Sequence, residues 1–420
     1  MKKKKQEDNE DIQEQENSQE NLQASFYGLG IAPKILETTM KLGFKYPTPI
    51  QRKAIPIALE KKDFIGIAQT GTGKTMAFVI PIVQRLAQDN STALILVPTR
   101  ELAIQVEESV SKIARVFGIK SVVLIGGVPA RVQIKSLLRK PRILIATPGR
   151  LIDLMEQKKV YLNKTAVLVL DEADRMLDMG FAPQIERILK VMSRERQTML
   201  FSATMPSSIV KIATTYMRSP VQVQIAPPGT SADDVSHELF IVRQENKMDI
   251  LEKILKEYRG SVLLFCRTKI GTKKVARAIR SLGHRSAEIH SDRSLGQRKE
   301  AMEGFRNGRY RILAATDIAA RGIDVVGIEL VVNYDLPEDR ENYVHRIGRT
   351  GRAGKAGHAI SFARPDQRYD VQNIEKLLKV NFPVSSHPDG TQTKFDKPRT
   401  VFSSNNASGR RKTFYRKKKR

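Results

Sequence analysis

The chain has 420 residues, 40% hydrophobic and 28% charged, and Cys266 is its only cysteine, which excludes disulfides and cysteine-based zinc sites. No run reaches the ~18 uninterrupted apolar residues of a membrane span, and the opening MKKKKQEDNE lacks the apolar centre of a secretory signal; a reducing cytoplasmic compartment is the expectation. Lysine and arginine exceed aspartate and glutamate by 27 (72 minus 45), which favours a polyanionic partner, chiefly nucleic acid, over a surface charged only for solubility.

In chain order, residues 1–24 carry almost no apolar side chains and read as a disordered polar tail. Residues 25–224 form a first domain, with short apolar runs at FIGIA (64–68), ALILV (93–97), VVLI (122–125), RILIAT (142–147), AVLVL (166–170) and MLFSA (199–203). A linker over 225–236 includes APPGTSADD. A second domain, 237–383, repeats the pattern with ELFIV (238–242), SVLLF (261–265), AEIH (287–290), RILAA (311–315), LVVNY (330–334) and AISFA (359–363). Residues 384–420 read as a disordered basic tail, since 381–420 holds 11 lysines and arginines against 2 aspartates. Runs without polar alternation, separated by helical patterns, predict strands covered on both faces. The expected fold class is α/β, with two doubly wound parallel-sheet domains in tandem.

Polar clusters start where these runs stop. QTGTGKT follows FIGIA, PTRELA follows ALILV, GG follows VVLI, and PGR follows RILIAT. DEAD follows AVLVL, SAT closes MLFSA, CRTK follows SVLLF, and TDIAARGID follows RILAA. Open α/β sheets bind ligands beyond the carboxyl ends of their strands.

The segment Ala68, Gln69, Thr70, Gly71, Thr72, Gly73, Lys74, Thr75 fits a phosphate loop. Glycines let the backbone close on phosphates, Lys74 reaches the β/γ-phosphates, and the Thr75 hydroxyl holds Mg²⁺. The bland alternative is a Gly-rich turn. LVLDEAD (168–174) supplies acids at a strand end. Asp171 suits Mg²⁺ coordination, and Glu172 suits orienting and deprotonating the attacking water; alone, the four residues would pass for an acidic helix start. Arg346, Arg349 and Arg352 pose a separate question, because no acid occurs from Asn342 through Pro365. Their anionic partners must come from elsewhere in the chain or from a ligand.

From about Phe26 to about residue 380 the chain resembles the DEAD-box ATP-dependent RNA helicases of superfamily 2. The motifs GFKYPTPIQ (43–51), AQTGTGKT, PTRELA (98–103), GG (126–127), TPGR (147–150), DEAD, SAT (202–204), FCRTK (265–269), ATDIAARGID (315–324) and HRIGRTGR (345–352) stand in family order. Within the family, the compact core and short basic tail are most similar to the bacterial RhlE-like group. The resemblance implies RecA-like domains, ATP with Mg²⁺, and RNA-stimulated hydrolysis coupled to local unwinding of short duplexes. It implies that Gln51 reads adenine and that Phe26 packs at the base, although Phe26 and Phe44 also suit an ordinary core. Gly322 and Asp324 would meet the nucleotide, Asp324 at the ribose. Asp174, Ser202, Thr204, His345 and Arg346 would couple the nucleotide to domain closure. Arg349 and Arg352 would act as arginine fingers on the γ-phosphate, so that ATP supplies the missing acids.

Pro98, Thr99, Arg100, Gly126, Gly127, Thr147 and Arg150, with Arg267, Thr268, Arg293 and Thr316 in the second domain, offer hydroxyls, guanidiniums and backbone N–H groups suited to an RNA backbone. Binding is therefore expected to be tolerant of sequence. The implied partners are ribosomal or decay-complex RNA and proteins, with no membrane and a monomeric chain. An ATP-gated RNA clamp and a DNA-directed motor are the competing readings. In IHSDRSLGQR (289–298), Ser291 and Leu295 replace the Gly and Gln of the family pattern HGxxSQxxR, which leaves open the contacts of that loop and the strength of unwinding.

Overall fold

The structure, a computed structural model, describes residues 25–68, 71–225, 235–320, 328–351, 357–386 and 393–396. The first sheet contains β1 (Phe64–Ile67), β2 (Thr92–Leu96), β3 (Ser121–Leu124), β4 (Ile143–Ala146), β5 (Thr165–Leu170), β6 (Gln197–Ser202) and β7 (Val221–Gln224). Its strands are parallel, in the order β3-β4-β2-β5-β6-β1-β7. The second sheet contains β8 (Val235–Ile241), β9 (Val262–Phe265), β10 (Ser286–Ile289), β11 (Ile312–Ala315), β12 (Leu330–Asn333) and β13 (Gly357–Ala363), also parallel, in the order β10-β11-β9-β12-β13-β8. Two α/β domains follow one another, as the alternation of runs predicts.

Both faces of each sheet are buried. On β2, Ala93, Ile95 and Val97 enter one apolar cluster while Leu94 and Leu96 enter the opposite one. On β9, Val262 and Leu264 face one side and Leu263 and Phe265 the other. A strand with no solvent face has no reason to alternate polar residues, so these strands were legible as plain apolar runs.

Three boundaries differ from expectation. The strand β7 was missed because VQVQ alternates and is largely exposed at the sheet edge, where one covered face is enough. The second sheet starts at Val235, two residues before the expected domain start, because β8 pairs with β13 from Val235↔Gly357 onward. The basic tail does not begin at 384. Leu239 N donates to Pro383 O at 3.0 Å and Ser385 N to Leu239 O at 2.9 Å, so this segment extends the edge of β8. Farther on, Phe395 packs against the Val371–Ile374 side of the core, and Asp396 N donates to Pro365 O. The expected tail residues 1–24 and 397–420, and most of the linker, lie outside the described residues.

Candidate nucleotide site and nucleic-acid interface

Sheet order brings together motifs that are far apart in sequence. In β5-β6-β1, the strand that ends in SAT lies between the DEAD strand and the phosphate-loop strand. Ala68 N donates to Ser202 O at 3.0 Å and Asp171 N to Leu96 O at 3.0 Å, so these chain segments leave the sheet side by side. Gly73 caps the Lys74–Gln88 helix at φ 90°, and a Cβ there would lie 2.5 Å from Gln51 Nε2. Only glycine fits that place. Lys74 is 6% exposed, and its ammonium donates to Ala68 O at 2.9 Å while acting electrostatically on Asp171, Glu172 and Asp174. Thr72 and Thr75 are half-buried beside it and Gly71 is exposed; Gln69 and Thr70 lie outside the described residues.

Burial pushes the Asp171 carboxyl up to about 6, with Lys74 pulling it down and Glu172 and Asp174 pushing it further up. Glu172 sits in the left-handed region at φ 51°, a backbone that non-glycine residues rarely adopt. Burial would raise its carboxyl, but Arg175, Lys74 and Arg349 outweigh this and hold it below the ordinary value. Arg175 Nη1 donates to Glu172 Oε2 at 2.7 Å, with both side chains buried.

Asp174 ties the acids to SAT. Its Oδ2 accepts from Ala203 N at 2.9 Å, Thr204 N at 2.9 Å and Thr204 Oγ1 at 3.1 Å. Ser202 Oγ donates to Thr204 O at 2.7 Å and closes the turn. Burial pushes Asp174 up, and Lys74 and the N–H groups of Thr204 and Arg175 pull it down. His345 comes from the second domain. Burial drives its pKa down to about 4, with Arg175 and Arg349 acting in the same sense and Asp174 and Glu172 opposing. Burial thus favours the neutral imidazole beside Asp174.

The three spaced arginines separate into different environments. Arg346 is 1% exposed and has its own acid: Nε and Nη2 grip Asp317 Oδ1 and Oδ2 at 2.6 and 2.7 Å. Its Nη1 donates to Asn333 Oδ1 at 3.1 Å and Asp335 O at 2.6 Å, and the guanidinium lies 5.0 Å from the Phe265 ring centroid. The donors of Arg346 are thus engaged inside the second domain. Arg349, 3% exposed, faces the first domain, where its charge acts on Glu172. Arg352, Gly322 and Asp324 lie outside the described residues.

Two side chains expected at the base are engaged elsewhere. Gln51 Oε1 accepts from Thr48 N at 3.0 Å and Nε2 donates to Gly73 O at 2.9 Å, so the carboxamide clasps the phosphate loop. Phe26 is 1% exposed inside the first domain's core, which is its ordinary-core alternative, whereas Phe44 is 38% exposed. Thr48 begins the Pro49–Leu59 helix in a capping box with Gln51, and a Cβ on Gly73 would lie 2.9 Å from its Oγ1, so the helix start and the loop pack closely. The donor set fits Mg²⁺: one raised carboxylate and a threonine hydroxyl are hard oxygen donors, and this ion binds through one or two carboxylates plus phosphates. Among the described residues no group of three or more His, Cys, Asp or Glu forms an all-protein cage.

The RNA candidates of the first domain follow the ends of three neighbouring strands, β3, β4 and β2. Thr99 caps the Arg100–Ala114 helix by accepting from Leu102 N at 3.3 Å, and both Pro98 and Thr99 are buried. Arg100 lies against Gly126 and Gly127; Gly127 has φ 78°, and a Cβ there would overlap the Arg100 guanidinium. Arg150 Nη1 donates to Val128 O at 2.9 Å, from the helix that Thr147 starts. In the second domain, Arg267 is exposed and donates to Leu336 O, Thr268 caps the Lys269–Ser281 helix, Thr316 N donates to Ile289 O, and Arg293 pairs with the buried Glu288. Sequence reasoning missed Arg175, Asp317 and the interdomain pair of Arg298 with Glu101, whose Nη2–Oε2 distance is 2.8 Å. Arg175 adjoins DEAD and was findable. The other two pairs join segments distant in sequence.

The DEAD/DEAH box helicase model matches residues 48–212, and the helicase conserved C-terminal domain model matches residues 246–354. The ATP-dependent rRNA helicase RRP3 of Meyerozyma guilliermondii is 40% identical over 371 residues, covering 87% of this chain and 78% of that protein. Such RRP3 relatives are a different group from the bacterial RhlE-like group expected. The structure of S. cerevisiae Dbp5 bound to RNA and ADP BeF3 is 30% identical with a TM-score of 0.78, covering 87% of this chain and 96% of that one. A DEAD box protein from Methanococcus jannaschii is 36% identical with a TM-score of 0.51, covering 86% and 99%. No helix among the described residues is long and apolar enough to cross a membrane. The chain belongs to the DEAD-box helicase family, enzymes that use ATP to act on RNA.

Proposed function

We propose that the chain hydrolyses ATP in the cleft between its two domains, stimulated by RNA, and uses closure of that cleft to melt short duplexes locally. The observation that carries this reading is that Glu172 of one domain and Arg349 of the other share one buried charge cluster with Lys74. Neither sheet holds both a phosphate loop and a finger. Lys74, now spent on Ala68 O, would turn to the phosphates, and Arg349 would face the charge that grows on the transferred phosphoryl. Glu172, kept ionised and aimed by Arg175, would orient the attacking water and take its proton on a carboxylate oxygen. Mg²⁺, held by Asp171 and the Thr75 hydroxyl, would neutralise phosphate charge. Arg352 would be the second finger, and Gly322 and Asp324 would meet the nucleotide. Gln51 would exchange its Gly73 contact for adenine.

Closure also needs a signal from the nucleotide to the second domain. The hydrogen bonds from Asp174 through Thr204 to Ser202, with His345 of the second domain within electrostatic reach of Asp174, would be a route for it. ATP and RNA that both favour one placement must raise each other's affinity by the same factor. The proposed substrate is structured RNA such as ribosomal RNA, gripped by Thr99, Arg100, Gly126, Gly127, Thr147 and Arg150 on one domain and Arg267, Thr268, Arg293 and Thr316 on the other. The chain would act as a monomer, in the cytoplasm; a nuclear or nucleolar site would match the rRNA names of the relatives.

The test is strand displacement of a short RNA duplex by wild type and Glu172→Gln, with ATP and a non-hydrolysable analogue. The reading requires displacement with ATP, RNA-stimulated turnover exceeding that with DNA of equal length, and a Glu172→Gln chain that binds ATP without multiple turnover. Binding without displacement under either nucleotide would favour the clamp.

A further inference from the structure

We propose that Leu295 is an apolar positioning residue that docks the second domain into a groove of the first, so that closure in this chain rests partly on a contact that salt does not screen. The inference rests on the reading that the two domains close over ATP. The groove runs along the edge strand β3, between the Arg100–Ala114 and Ala130–Leu137 helices. It has a volume of about 450 Å³, and its wall includes Ile104, Val123, Val128 and Val132 from the first domain and Leu295 from the second. Leu295 is half-buried and packs against the first domain's apolar cluster. One turn along the same helix, Arg298 pairs with Glu101 at 2.8 Å, with side-chain exposures of 10% and 15%. The second domain therefore presents two unlike contacts from one helix face, residues i and i+3.

This explains one departure in IHSDRSLGQR. A glutamine at 295 would reach the same groove, whose wall also carries Glu107, Gln133 and Arg139, but it would give up apolar surface shared with Ile104, Val123 and Val128. Leucine instead removes apolar surface from water on both sides. The other departure, Ser291, is neutral, because its backbone is not left-handed and does not require glycine. Val132 is 56% exposed, so the groove has apolar surface left for the docked residue to cover.

RNA-stimulated ATPase of the full chain provides the test, read as the RNA concentration for half-maximal rate and the rate at saturation. Replacing a half-buried leucine by glutamine should raise the half-maximal RNA concentration about fivefold, with the saturated rate and the thermal midpoint unchanged. Leu295→Met should restore the wild-type value. The ratio of Leu295→Gln to wild type should be the same at low and high salt, because the contact that is lost carries no charge. A Leu295→Gln chain equal to wild type, or a ratio that shrinks as salt rises, overturns the proposal. Absence of RNA-stimulated ATPase in wild type would instead overturn the reading beneath it.

Discussion

Arg346 and Arg349 are three residues apart and chemically alike, yet the structure predicts that their losses separate. Arg346→Ala removes a group buried to 1% exposure that makes two contacts to Asp317, one to Asn333 and one to the Asp335 carbonyl. Breaking a buried ion pair costs ~3–5 kcal/mol. Asp317 keeps 25% side-chain exposure and recovers some hydration, while Asn333, fully buried, recovers none. These partly cancel, leaving about 4 kcal/mol, which for a domain of this size lowers the thermal midpoint by roughly 8–16 °C. Arg346→Lys keeps the charge but not the two-pronged grip, and should fall between. Arg349 has its charge partner, Glu172, in the other domain. Its alanine variant should lower the midpoint by less than Arg346→Ala does and lose turnover by ~10³-fold or more. Thermal unfolding followed by circular dichroism, paired with ATPase assays on the same preparations, reads both. If Arg346→Ala kept the wild-type midpoint and lost only turnover, its assignment as a structural arginine would be wrong.

Gly127→Ala would force a side chain into a left-handed backbone, at about 1 kcal/mol or more, and against Arg100. RNA affinity should fall about fivefold or more with ATP binding intact, as fluorescence anisotropy would measure; unchanged RNA affinity removes this loop from the interface. Ending the chain after Asp396 keeps the packed residues and removes 10 lysines and arginines with no acid. The logarithmic salt dependence of RNA binding should flatten by ~0.7 for each single-strand phosphate that the basic segment had neutralised, and an unaltered slope would make the segment a solubiliser. His237 stacks on Phe382 at 5.1 Å, and burial, with His358 nearby, lowers its pKa from 6.5 to about 4. The unfolded chain binds more protons between those values, so stability should decline as pH drops from 6.5 toward 4 and be fully present above. Denaturant titrations across that range should show the slope in wild type and a shallower one in His237→Phe.

The alternation of apolar runs with helical patterns settled the two α/β domains, because strands buried on both faces leave no other pattern. The phosphate loop, the DEAD acids and their strand-end positions were equally legible, since each depends on backbone conformation and chemistry within a few residues. What the sequence concealed depends on neighbours in space. The exposed edge strand β7 had no core to mark it, and residues 384 and 385 read as tail because pairing along β8 uses only backbone groups. The acid missing beside Arg346 proved to be Asp317, 29 residues earlier. Phe26 and Gln51 have the right residue types for a base, yet burial and the clasp on Gly73 decide what they touch in this structure. Charge is a long-range property, so Glu172 below its ordinary pKa, Asp171 above it and His345 held neutral follow from which groups the fold buries together. Local chemistry names the parts; only the packing of one domain against the other decides which of them meet.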